Sequence, residues 1–366
     1  MKYAIMPALG ALALAACNGA PGETAAPASA LSKDVDALFA EFEGERPGCA
    51  AGVIEGGKYI HAKGYGMANL EYDEPITPDS VFRMGSISKQ FTAAAIAILV
   101  ARGDVQLDAD VHAYLPELRD YGAPVTIRQM IHHLSGMGDY ETDVNKFEVR
   151  PGQPFRWGNE DYWTIEEFYA EVAKQPLLHL PGEQFEYSNL AYFLLSQVVE
   201  RASGKTLSAF AEAEIFAPLG MEESFFNDNV NQVVKKRVSG YLALEEGGYE
   251  TFDTNLDIVG DGGVYTTLND FLKWDQALAN DALPESIAPA MKAPYPPAEL
   301  DGWEPFSPGA TYGYGLAIGD YEGEPVYSHT GGWVGFTTYY ARFPNRDRSV
   351  VVFCNGTDAI GPVKGW

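Results

Sequence analysis

Residues 91–100, Phe-Thr-Ala-Ala-Ala-Ile-Ala-Ile-Leu-Val, leave a helix with no polar face. A helix that is apolar all round has to be enclosed on every side, so it demands a large body around it. The chain has the material for one: 366 residues, 46% hydrophobic and 13% aromatic, enough for one large domain or two smaller ones and far from disordered compositions. Arg102 and Gly103 supply the signals that end this helix. Directly ahead of it stands Ser86-Ile87-Ser88-Lys89, so the helix buries the stem of a lysine at its head.

The patterns on either side divide the chain by type. Residues 49–54 and 58–65 flank Glu55-Gly56-Gly57, a hairpin signal. A helical stripe over 33–43 precedes them, closed by Pro47 and Gly48. From 105 to about 290 the patterns are mostly helical, clearest over 164–174, 190–202, 208–216 and 269–279. Residues 312–318, 325–328, 336–343 and 349–354 are short, aromatic and β-branched, and read as strands. The expected fold is therefore α/β (α+β), with one sheet built from both chain ends, flanked by helices, and a mostly helical subdomain inserted. Its sheet part takes about 34–85 and 290–366 and its helical part about 90–285, with the active site in the cleft between them.

The first residues read as an address. Lys2 and an apolar run over 4–16, too short to cross a bilayer, end in Leu14-Ala15-Ala16-Cys17. This ending resembles a bacterial lipoprotein signal, which implies removal of 1–17 up to a lipidated Cys17; an ordinary signal peptide is the alternative. Asn18 after the cysteine points by the same resemblance to the outer membrane. Residues 18–33 read as a flexible tether to a domain over 34–366. The expected location is periplasmic, on a lipid anchor. A formal charge of −26, from 25 basic and 51 acidic residues, excludes a nucleic-acid partner and disfavours an anionic membrane surface, leaving the anchor as the membrane contact. Of the other cysteines, Cys49 and Cys354 form no metal-binding pattern and are either bridged or two buried thiols. No metal or cofactor is expected, and the six histidines include no His-Glu-x-x-His.

Three short motifs carry chemistry. In Ser86-Ile87-Ser88-Lys89 the spacing i, i+3 puts lysine and serine on one helical face, where a dry amine can take the hydroxyl proton. Tyr187-Ser188-Asn189 follows Pro181-Gly182 and precedes a helix; the tyrosine is a candidate acid or base, and the asparagine can orient a carbonyl and the lysine. His329-Thr330-Gly331-Gly332 stands at the end of a strand, where a small residue lets a substrate lie along the strand edge. The Gly332 and Ser86 amides can pair as an oxyanion hole. Trp157, Trp163, Tyr140 and Trp333 are candidates for an aromatic cleft, although such residues more often belong to a core.

Taken together and in this order, the motifs resemble the serine β-lactamase-like family of class C β-lactamases, DD-peptidases, esterases and D-aminopeptidases. That family carries Ser-x-x-Lys, Tyr-x-Asn and Lys/His-x-Gly, which stand here as Ser86/Lys89, Tyr187/Asn189 and His329/Gly331. Phe82-Arg83-Met84-Gly85, His132-His133-Leu134-Ser135-Gly136 with Asp139-Tyr140, and Gly262-Gly263-Val264-Tyr265-Thr266-Thr267 look like family members too, so the likeness runs over about 35–357. It implies that Ser86 forms an acyl-enzyme, Lys89 and Tyr187 share the proton work, Asn189, His329 and Thr330 position a small-molecule or peptide substrate, and water deacylates.

Two departures shape the expectation. β-Lactamases of this type mostly carry lysine where His329 stands, and histidine is largely neutral near pH 7. An esterase or a D-amino-acid or DD-peptidase is therefore expected; the alternatives are a β-lactamase, or a penicillin-recognising, cell-wall-binding protein that acylates without turnover. Family members also usually finish with a helix packed on the sheet, whereas this sequence ends at Trp366, either as a fragment or with that face covered otherwise. The family's sheet places its last strand antiparallel to its first, which implies a Cys49–Cys354 disulfide.

Overall fold

Gly56 and Gly57 both have positive φ, 57° and 70°, and close the turn between β1 (Cys49–Glu55) and β2 (Lys58–Tyr65). Glycine enters this region at no steric cost, and a turn of this hand matches the strand twist. In the computed structural model, which describes residues 28–140, 163–294 and 310–357, two small pairs follow: β3 (Met67–Asn69) with β4 (Glu74–Pro75), and β7 (Tyr241–Ala243) with β8 (Tyr249–Thr251). A three-stranded ribbon joins β5 (Phe82–Arg83), β6 (Phe225–Phe226) and β9 (Val264–Thr266), with β9 in the middle. The far end of the chain adds β10 (Thr311–Tyr312), β11 (Ala317–Tyr321), β12 (Glu324–Trp333), β13 (Phe336–Phe343) and β14 (Arg348–Cys354). The main sheet runs β10-β11-β12-β13-β14-β1-β2, every pair antiparallel.

Helix α1 (Ala28–Leu38) precedes the first strand, and the others lie between the strand sets: α2 (Lys89–Arg102), α3 (Ile127–Ile131), α4 (Ile165–Val172), α5 (Asn189–Ser203), α6 (Leu207–Ala211), α7 (Leu268–Ala279) and α8 (Ala288–Met291). Alternation along β1 divides the core in two. Ala50 and Ile54 face a large cluster that includes α2, α5 and α7, while Cys49, Ala51 and Val53 face a smaller one under α1. The fold is α+β, with the sheet covered on both faces.

Several elements differ from the pattern reading, each for a visible reason. Helix α1 starts inside the expected tether, because Leu31 extends the buried row Leu31, Val35, Phe39 one turn upstream; a short 3-10 turn, Ala40–Phe42, then replaces the rest of the expected helix. Residues 312–318 form no single strand but the hairpin β10–β11, folded back where Gly313 N–H donates to Leu316 O at 2.7 Å. Residues 208–216 split into α6 and a π-helical turn, Glu212–Phe216. Strand β12 does not stop before His329: it continues to Trp333 and turns into β13 at Val334-Gly335. Cys49 and Cys354 stand opposite each other in the β1–β14 register, and their Sγ atoms are bonded. The leader, Cys17, Trp157 and residues 358–366 lie outside the described residues.

Candidate active site

Ser86 sits in a 3-10 turn, Gly85–Ser88, that leads into α2, so the α-helix itself begins at Lys89. Gly85, Ile87 and Ser88 are buried while Ser86 is half-exposed. The turn is pinned to β9: Met84 N–H donates to Val264 O (2.9 Å) and Val264 N–H to Ser88 Oγ (3.0 Å). It also presses against β12. A side chain at Gly331 would meet Met84 O at 2.1 Å and Thr338 Oγ1 at 2.2 Å, and one at Gly85, whose φ is 52°, would meet Gly332 N at 2.9 Å. The small residue at 331 therefore makes room for the protein's own Ser86 turn, whereas the sequence suggested room for a substrate.

Lys89 is fully buried at the root of α2. Its Nζ lies 3.1 Å from Ser86 Oγ, 2.6 Å from Asn189 Oδ1 and 2.8 Å from the Asp261 carbonyl. It also lies 4.8 Å from the Tyr187 ring centre and 5.6 Å from that of Tyr192, faces that favour a positive charge. Asn189 opens α5 behind the N-cap Ser188. Its Nδ2 donates to Asp139 Oδ2 (3.0 Å), which fixes the amide so that Oδ1 faces the lysine.

Tyr187 has a partly exposed ring and a buried hydroxyl directed at Ser86. Burial pushes this phenol well above its ordinary range, and the contact with Ser86 pulls the other way. It is a proton donor at neutral pH.

His329 is fully buried within β12. Its Nδ1 faces Thr330 O at 2.5 Å and its Nε2 faces the Tyr312 hydroxyl at 2.7 Å. A carbonyl only accepts, so Nδ1 carries the proton and Nε2 accepts from Tyr312. Burial, then the charge of Lys89, lowers the His329 pKa to about 3. This ring is neutral at physiological pH, and both nitrogens are spent inside the protein. It braces β10 against β12.

Strand register supplies the remaining features. On β12, residues 327, 329, 331 and 333 direct their backbone groups toward β13, and 324, 326 and 328 toward β11. Pairing with β11 ends at Ser328, so Thr330 and Gly332 aim theirs at an edge that β11 does not cover. The Thr330 carbonyl is taken by His329. Gly332 is exposed, and a Cβ there would meet nothing within 4 Å. A half-exposed serine hydroxyl, a buried amine, a buried phenol and an open strand edge thus converge on one point.

Three participants escaped the sequence reading in their actual roles. Asp261 contributes a backbone carbonyl, and its side chain accepts from Tyr140 at 2.5 Å. Tyr140 is accordingly a buried core residue. Tyr312 holds His329, and only its neighbourhood in the fold reveals that. Trp163 and Trp333 are half-exposed, the latter 5.5 Å from the Arg83 guanidinium.

Comparisons with known proteins identify the family. A D-aminopeptidase of Gluconobacter oxydans is 30% identical over 334 residues, 90% of this chain and 59% of that protein. Esterase EstB of Burkholderia gladioli is 30% identical over 345 residues, 84% of this chain and 86% of the esterase. The octameric penicillin-binding protein homologue from Pyrococcus abyssi superposes with a TM-score of 0.74 at 29% identity, covering 89% of this chain and 73% of that one. The chain thus spans about three fifths of the D-aminopeptidase and most of the esterase. The family model described as Beta-lactamase matches residues 35–365, and on that match this chain belongs to the beta-lactamase family.

Proposed function

We propose that the chain is a serine hydrolase that works through an acyl-enzyme on Ser86, acting on esters or on peptides and amides of D-amino acids. The observation that carries this reading is the coordination of Lys89 Nζ. Two of its neighbours, Asn189 Oδ1 and Asp261 O, only accept, so they fix two N–H bonds. In the neutral amine the lone pair is then left for the third direction, toward Ser86 Oγ.

From there the steps balance. Ser86 Oγ attacks the substrate carbonyl carbon while its proton passes to Lys89 Nζ, and the new cation faces the Tyr187 and Tyr192 rings. The carbonyl oxygen becomes an oxyanion held by the Ser86 and Gly332 N–H groups. Collapse expels the alcohol or amine, which takes a proton from the Tyr187 hydroxyl; Lys89 restores that proton. Water then repeats the sequence on the acyl-enzyme and frees Ser86.

A neutral, internally bonded His329 offers no fixed cation for a substrate carboxylate. This favours esters and D-aminoacyl amides over β-lactams and over peptides anchored by a C-terminal carboxylate. The names of the relatives, a D-aminopeptidase and an esterase, point the same way. Rates on p-nitrophenyl butyrate, D-alanine p-nitroanilide, a D-Ala-D-Ala peptide and a chromogenic cephalosporin test the choice. Turnover of the first two at least about 10-fold above the others is expected, and a preference for the cephalosporin would reject it.

We further infer that the protein works outside the cytoplasm on a lipid attached to Cys17. The small residues ahead of Cys17 and the Cys49–Cys354 bond, which suits an oxidising compartment, support this. Cys17→Ser should move the protein from the membrane to the soluble fraction; unchanged partitioning would exclude the anchor.

A further inference from the structure

His133 is outside the three motifs, yet it brackets the candidate proton donor. Its backbone carbonyl accepts from Glu186 N–H at 2.8 Å, and its ring Nδ1 accepts from Ser188 N–H at 3.1 Å. One residue thus holds the peptide groups on both sides of Tyr187. Its ring also lies against the Tyr187 ring, centres 4.3 Å apart and planes 33° apart. To reach both amides the backbone of His133 adopts φ 58°, the left-handed region uncommon for residues other than glycine.

The chemistry of the ring fits that task. Accepting a backbone N–H at Nδ1 requires the neutral tautomer with its proton on Nε2. Burial, followed by the charge of Lys89, keeps the His133 pKa well below its ordinary value. The ring is fully buried, and Nε2 finds no hydrogen-bond acceptor in the surrounding cage of Phe185, Tyr187, Tyr192 and Tyr312. A core position selected for packing alone would be served by leucine or phenylalanine, without an unpartnered buried N–H.

We infer that His133 is the positioning residue for Tyr187: it fixes the direction of the phenol toward Ser86 and acts on the reaction only through it. This rests on the function proposed above, so the experiment separates the two. Steady-state kinetics on p-nitrophenyl butyrate are measured for Tyr187→Phe, His133→Leu, His133→Asn and the doubles. Leucine removes the acceptor; asparagine keeps one near Nδ1 and tolerates the left-handed backbone. If Tyr187→Phe keeps full activity, the role given to Tyr187 fails, and the inference fails with it.

If Tyr187→Phe lowers kcat about 100-fold, His133→Leu should lower it about 10- to 100-fold with KM within about 3-fold, and His133→Asn should return to within about 5-fold of the unsubstituted protein. In the Tyr187→Phe background, either change should cost less than about 2-fold. Equal fold-losses in both backgrounds, or equal losses for leucine and asparagine, would overturn the inference. Should His133→Leu not fold, the cycle with His133→Asn decides: a loss confined to the chain that keeps Tyr187 supports it, and a loss carried into both backgrounds contradicts it.

Discussion

Three buried imidazoles, His132, His133 and His329, each lie against Tyr312, and all are held neutral. Burial lowers the pKa values of His329 and His132 to about 3 and about 4, and it holds that of His133 well below its ordinary value. In the unfolded chain each takes up a proton near pH 6.5, while the folded protein does not until the pH is far lower. The unfolded state therefore binds more protons below about pH 6.5, and stability falls as the pH drops from there toward about 4. Each such histidine contributes a slope of about 1.4 kcal/mol per pH unit. The raised carboxyls of Asp253 and Asp257 act in the opposite sense nearer pH 4. Urea midpoints should accordingly be lower at pH 5 than at pH 7, with a shallower dependence in His329→Gln; identical midpoints at the two pH values would show that these rings are not held neutral. Of the residues involved, Ser86 and Lys89 were legible because their contact is local. Asp139, Asp261 and Tyr312 were not, since a backbone carbonyl or a strut seated far away in sequence leaves no spacing to read.

At the level of elements, the site depends on how closely the Ser86 turn approaches β12. The adjacent glycines answer to different demands. Gly331 faces the Met84 carbonyl and Thr338, with no room for a Cβ, while Gly332 faces open space. Gly331→Ala should cost about 1–3 kcal/mol and separate the serine from the strand edge. Gly332→Ala should change stability by no more than about 0.5 kcal/mol. Thermal unfolding of the two variants checks this, and equal stabilities would mean that the turn does not lean on the strand. Alternation and glycine turns made β1, β2, β13 and β14 readable to within a residue or so. The β10–β11 hairpin was not, because Gly315 bends back to meet α2, where a Cβ would lie 2.4 Å from Gln90 N. The run of β12 through His329-Thr330-Gly331 was hidden for a related reason: its glycines look like a turn, yet they serve close packing inside a strand.

Across the whole molecule, the sheet closes by joining the chain's two ends. Strand β1 lies between β2 and β14, and the Cys49–Cys354 bond ties residues 305 apart in sequence. A cross-link over so long a loop restricts the unfolded chain strongly, so its loss should cost about 2–5 kcal/mol. The Cys49→Ala/Cys354→Ala protein should be destabilised by that amount while retaining activity at 25 °C, since the bond lies on the face away from α2. An unchanged unfolding midpoint would mean that strand pairing alone holds the ends together. The overall architecture was visible in the order of patterns, strands first and last with helices between. The pairing of its outermost strands depended on the family likeness, because no local signal states which distant strands become neighbours.

The central claim is that Ser86 becomes acylated, and mass spectrometry on acid-quenched protein tests it most directly. After brief exposure to p-nitrophenyl butyrate, the intact mass should rise by one butyryl group, peptide mapping should place that group on Ser86, and the adduct should be absent from Ser86→Ala. An adduct on another residue, or a Ser86→Ala protein that hydrolyses the ester at the original rate, would contradict the account.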